Sequence, residues 1–106
     1  MVTVKNISSD YYDGATPSGF DSWLDYWAKG GNPHGFKKKI FCAVHHKYEA
    51  DLEGAHVKIV SLNGIFQSTR IYIVPVCKSI NDDFDKAYQV DESILVEIPA
   101  DHYKPL

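Results

Sequence analysis

The chain has few cysteines, no long apolar run and no excess of positive charge, and each of these absences excludes something. Its only cysteines are Cys42 and Cys77. The start, MVTVKNISSD, lacks a basic region followed by an apolar run, so no secretory signal is expected and the expected compartment is cytoplasmic. Two thiols in such a chain argue against a disulfide scaffold and for metal ligation or burial as free thiols. The longest apolar run, IYIVPVC (71–77), has the length of a strand, so no membrane partner is expected. A net charge of −3, from 11 Lys+Arg against 14 Asp+Glu, lacks the basic surplus of a dedicated nucleic-acid binder, though a local basic patch remains compatible with it. Glycine-rich phosphate loops and a G-x-S-x-G elbow are missing, as are repeats, linkers and low-complexity segments. What is present is 106 residues that are 44% hydrophobic and 13% aromatic. That is one domain, 1–106, in which large aromatic side chains offset a short chain.

In chain order, VTVKNI (2–7) alternates like a short strand, and SSDYYDGATPSG is rich in turn formers. Residues 1–17 are therefore read as a loop-rich N-terminal segment, with Tyr11 and Tyr12 as candidate pins to the body. Ser18-Gly19-Phe20-Asp21 resembles a capping box, and Phe20, Trp23, Leu24 and Trp27 fall on one helical face before Gly30-Gly31 and Asn32-Pro33 end the helix. The two tryptophans are expected to pack on a sheet, the alternative being a stacking platform for bases or sugars. Lys37, Lys38 and Lys39 lead into IFCAV (40–44), an expected strand. AHVKIVSL (55–62) alternates, with Ala55, Val57 and Ile59 on one side and His56, Lys58 and Val60 on the other. Asn63-Gly64 signals a hairpin, RIYIVPV (70–76) supplies its return, and Pro75 suggests an edge position. DDFDKAYQ (82–89) reads as a short helix capped by Asn81 or Asp82, Tyr88-Gln89-Val90 as a possible short strand, SILVEI (93–98) as the final strand, and 101–106 as a polar tail. The fold class is α+β: an N-terminal amphipathic helix packed on a short antiparallel sheet with a central β-hairpin and a short C-terminal helix.

Small zinc folds hold their ion with four Cys or His ligands, commonly as two pairs on separate turns. Cys42-Ala43-Val44-His45 has that pair spacing, with His46 as a substitute one position on. The second turn offers Cys77, but Ile80 stands where its partner belongs and cannot ligate. A candidate metal set is therefore Cys42, His45, Cys77 and His56, with His46 or an acidic residue such as Asp82 as a replacement. The alternative is a chain without metal, in which Ile80 fills the gap by packing.

The knuckle FCAVHH (41–46), Gly54-Ala55-His56-Val57, the segment Ile71-Tyr72-Ile73-Val74-Pro75-Val76-Cys77 and Asn81 together resemble the HNH-endonuclease-like, treble-clef zinc proteins. They are most similar to a small bacterial subgroup of them, loosely over residues 23–98. The resemblance implies a treble-clef-like fold and a structural zinc. It also implies His56 as general base and, at the position of Asn81, a ligand of a catalytic divalent ion. Asn81 is only a neutral oxygen donor, Tyr72 stands near the place of a catalytic asparagine, and Ile80 replaces a structural ligand. These departures imply a degenerate active site. The expected function is a non-enzymatic macromolecule-binding domain derived from an HNH-like scaffold, with a protein partner. By analogy alone, it would act as phage or mobile-element accessory proteins do when they block a host factor. The alternatives are a nucleic-acid-binding module using Lys37, Lys38, Lys39, Lys58 and Arg70, and a metal-dependent nuclease using His56 and Asn81.

Overall fold

Five antiparallel strands form one sheet in the computed structural model, which describes residues 1–61 and 63–105. The strands are β1 (Val2–Asn6), β2 (Leu52–Ile59), β3 (Tyr72–Cys77), β4 (Ala87–Val90) and β5 (Val96–Glu97), in the order β4-β1-β2-β3-β5. Two short helices, α1 (Trp23–Ala28) and α2 (Lys78–Asn81), complete an α+β domain. The Cα radius of gyration, 12.9 Å, is that of one compact unit at this length. No helix among the described residues is long and apolar enough to cross a membrane.

Strand alternation decides which side chains share a face. β2 and β3 pair with Ala55 opposite Val74, His56 opposite Ile73 and Val57 opposite Tyr72. Ala55, Val57, Val74 and Val76 therefore join Val4, Val90, Cys42 and Ala43 in one core cluster. Ile73 looks the other way and joins Ile7, Tyr26, Trp27, Ala28, Ile71 and Ile98 in a second. With both faces covered, β3 reads as a continuous apolar run rather than an alternation.

The first face is closed by the segment around Cys42 and by Ile80 of α2, the second by α1. The cap of α1 lies four residues beyond the expected one. Ser22 Oγ accepts from the Asp25 N–H at 3.0 Å, and Asp25 Oδ2 accepts from the Asp21 N–H at 3.0 Å. The end follows the Gly-Gly signal: the Gly31 N–H reaches the Tyr26 carbonyl and the Gly30 N–H that of Trp27, both at 2.9 Å, with both glycines at positive φ. The helix is not amphipathic, because the consecutive residues Asp25, Tyr26, Trp27 and Ala28 are all buried. Its aromatic tips tie down distant segments. Trp27 Nε1 donates to the Ile94 carbonyl at 2.7 Å, the Tyr26 hydroxyl to that of Glu97 at 2.6 Å, and Trp23 Nε1 to that of Gly14 at 3.0 Å. Gly54 lets α1 lie directly on β2: a Cβ there would come within 2.9 Å of Leu24 N and of the Trp23 carbonyl carbon.

Several expected elements fall elsewhere. Residues 40–44 form no strand but run into a turn. The second helix is α2 rather than 82–89. Asp83 Oδ1 accepts from the N–H groups of Asp85 and Lys86, turning the chain so that 87–90 becomes edge strand β4 against β1. Buried Asn6 stops α2 by donating through Nδ2 to the carbonyls of Ile80, Asn81 and Asp83 at 2.7, 3.1 and 2.8 Å. The final strand shrinks to Val96–Glu97 behind a 3₁₀ turn. The hairpin strand begins at Leu52, earlier than expected, and Leu62 lies outside the described residues. The terminal segments are tied together: Tyr12 bridges Tyr103, the Asp13 N–H donates to the His102 carbonyl and the Lys104 N–H to that of Tyr11. Pro75 lies where β5 no longer covers β3; there its carbonyl accepts from the Ala43 N–H at 2.8 Å, so its missing N–H breaks no ladder.

Candidate metal centre

The segment docked on that edge of β3 is a tight knuckle. The His46 N–H donates to the Cys42 carbonyl and the Cys42 N–H to the Lys47 carbonyl, both at 2.8 Å. Cys42 Sγ accepts the His45 N–H at 3.4 Å. His46 holds a φ of 60°, unusual for a side chain with a Cβ, which lets the chain reverse immediately after His45. The thiol is thereby fixed in the core and His45 placed beside it. Glu49, four residues on, brings Oε1 within 2.5 Å of His45 Nδ1. One donor atom each from Cys42, His45 and Glu49 lies within 4.8 Å of the others. Cys42 is fully buried, Glu49 half-buried and His45 exposed, so the group has a buried sulfur floor and a side open to solvent.

Sulfur, imidazole nitrogen and carboxylate oxygen are all accepted by zinc, and three protein ligands leave a fourth position for water or another donor. A thiolate and a carboxylate would together balance the charge of a divalent ion. Glu49 was invisible to a reading based on paired Cys and His; its only signal is the helix-like offset of four from His45.

The candidate set Cys42, His45, Cys77 and His56 does not assemble as expected. Cys77 is buried at the start of α2, its Sγ 3.3 Å from Ser79 Oγ, and belongs to no donor group among the described residues. Both thiols are free. His56 is on the opposite face of the sheet from Cys42, because it alternates with Ala55 and Val57. It stacks on Tyr12 at 3.7 Å between ring centroids, meets Trp23 edge-on at 4.5 Å, and leaves Nε2 buried without a partner among the described residues. Burial, and secondarily the nearby His102, pushes its pKa down to about 3. The substitutes do no better: His46 lines a separate cavity, and Asp82 pairs with Lys78 at 3.0 Å.

The catalytic pair implied by the resemblance is likewise divided. Asn81 Nδ2 donates to Glu53 Oε1 at 2.9 Å, and Glu53 shares its strand face with Ala55 and Val57, opposite His56. The five candidate phosphate contacts also separate. Lys58 is buried with its ammonium 4.7 Å from the Tyr11 ring and 5.2 Å from that of Phe66, and Arg70 approaches Glu97 at 3.6 Å. Lys37, Lys38 and Lys39 do converge, together with Lys47, around a cavity of about 700 Å³ completed by Ile40, Phe41, His46 and Tyr48. Lys47 joins them because the turn at His46 folds the knuckle back beside 37–41.

Set against known proteins, the chain matches no family model, no curated protein and no solved structure.

Proposed function

We propose that this chain is a non-catalytic macromolecule-binding domain in which a zinc ion at Cys42, His45 and Glu49 stiffens the knuckle, and the knuckle presents the binding face. One observation carries the proposal: the turn that gathers three metal donors also sets His46, Lys47 and Tyr48 along the cavity shared with Lys37, Lys38 and Lys39. A metal there would fix both. The order knuckle, hairpin β2–β3, helix α2 supports a treble-clef reading, and the separation of His56 from Asn81 supports the view that HNH chemistry is lost.

The test is a photo-crosslinking residue at position 48. It should capture a macromolecule that Lys39→Glu/Lys47→Glu loses, while the same residue at exposed Phe84 captures nothing comparable. Equal capture at both positions, or none at 48, would refute the binding face. The second reading, a protein partner away from the knuckle, is favoured by Ile65 and Phe66 at the hairpin tip, which are 65% and 48% exposed. Crosslinks at 65 but not 48 would establish it instead.

A further inference from the structure

The acidic net charge of the chain is not spread evenly. The knuckle-side cavity is lined by four lysines and by no aspartate or glutamate. Two of these lysines are partly engaged: Lys37 lies 3.5 Å from Asp25, and Lys38 sits 4.8 Å from the Trp27 ring centroid. Lys39 and Lys47 have no carboxylate partner among the described residues. One aromatic ring of the lining is left uncovered by the core: Tyr48 is 75% exposed. Phe36, outside the lining and just before the lysine run in sequence, is 98% exposed. The lining also includes Ile40 and Phe41, so the concavity combines apolar surface with a cationic border.

We infer that this concave face binds single-stranded nucleic acid, with phosphates on Lys37, Lys38, Lys39 and Lys47 and a base stacked on Tyr48. Lysines on two chain segments suit a run of phosphates better than one isolated anion. An uncovered aromatic ring such as Tyr48 suits a flat base, which stacks without regard to sequence. An acidic peptide would meet the lysines but would leave the ring without a matching surface. A duplex hides its base faces and cannot use Tyr48 in this way. The inference rests on the proposed binding role of the knuckle and adds the class of its partner. The metal centre bears on it, because Glu49 and His45 share with Lys47 and Tyr48 a second, adjoining cavity. A divalent ion held by His45 and Glu49 would add positive charge beside Lys47 and Tyr48.

Fluorescence anisotropy with a labelled oligodeoxynucleotide, on intact protein with and without one equivalent of zinc, tests this. Four phosphate contacts on a single strand predict a log–log salt slope of about −2.8, or roughly a 50-fold loss of affinity between about 50 and about 200 mM salt. Lys39→Gln/Lys47→Gln should flatten that slope by about 1.4. Tyr48→Ala should weaken binding about tenfold and leave the slope unchanged. Both variants alter exposed side chains, so unchanged thermal melting confirms that the fold is intact. Zinc should tighten binding of the wild type and not of Glu49→Gln.

No binding at the lower salt by folded protein would overturn the inference, as would a slope indifferent to the lysine pair. Binding a mononucleotide as tightly as the strand would replace the strand with a free nucleotide. Preference for a duplex, or equal competition by polyglutamate, would remove the stacked base. If the oligonucleotide fails while the position-48 crosslink still captures a protein in a lysine-dependent manner, this inference falls and the proposed binding role stands. If both fail, both are wrong.

Discussion

Acid should destabilise this protein through His56. The imidazole is buried between Tyr12 and Trp23, its Nε2 has no partner among the described residues, and burial followed by the neighbouring His102 lowers its pKa from 6.5 to about 3. The unfolded chain gains a proton near the ordinary value, whereas the folded chain refuses it until far lower pH. Between the two values the unfolded state binds more protons, so stability falls as pH falls. The full effect is present above pH 6.5 and is lost progressively toward pH 3. Well inside that window each unit costs about 1.4 kcal/mol, and moving from pH 6.5 to 5 removes about 1.6 kcal/mol. That is a substantial part of the 5–15 kcal/mol or so typical of a domain. Urea denaturation at closely spaced pH values would measure it, with His56→Leu as the reference. The variant keeps an apolar side chain against Tyr12 and Trp23 and has nothing to protonate. Only the slopes are compared, so any change in baseline stability cancels. Equal slopes for the wild type and His56→Leu between pH 6.5 and 5 would refute the reasoning. Below about pH 4 the buried carboxylate of Asp25 contributes in the same direction. The Asp21 N–H, then Lys29 and Lys37, hold its pKa low against the opposing effect of burial, so its stabilisation is present above the ordinary carboxylate value and lost as pH falls below it.

Two further predictions concern the sheet and the knuckle. Gly54→Ala places a methyl 2.9 Å from the backbone of α1, and the close approach should cost about 1–3 kcal/mol by urea denaturation; a neutral result would mean that α1 rides loosely on β2. Protein purified without chelator should carry one zinc per chain by elemental analysis, and chelation should lower its melting temperature. Cys42→Ser and Glu49→Gln should each reduce zinc content, whereas Cys77→Ser should leave it unchanged because Cys77 is outside the donor group. A metal-free wild type that melts identically with and without chelator would show that packing alone holds the knuckle.

Much of the architecture was legible locally. The alternation of Ala55, His56, Val57 and Lys58 assigned their faces correctly, and the Gly-Gly pair placed the end of α1, because a strand period and a positive-φ cap are properties of a few neighbouring residues. The Cys42–His45 pairing was legible for the same reason. Reading 82–89 as a helix failed because the local acidic start resembles a cap. The decisive interactions are long-range: Val90 is buried against β1, and Asn6 gathers the carbonyls that end α2.

The candidate site divides along the same line. Spacing by itself determined that a thiol and an imidazole share one tight turn, and that three lysines precede it. Only the tertiary structure decided that His56 lies across the sheet from them, that Glu49 supplies the third donor, and that Lys47 and Tyr48 close a basic cavity with residues 37–41. A strand pattern states which residues share a face, but not what covers that face. The covering is set by contacts between residues far apart in sequence, as where the Ala43 N–H meets the Pro75 carbonyl and docks the knuckle. The turn at His46, by contrast, gathers the donors and the lysines within 37–49.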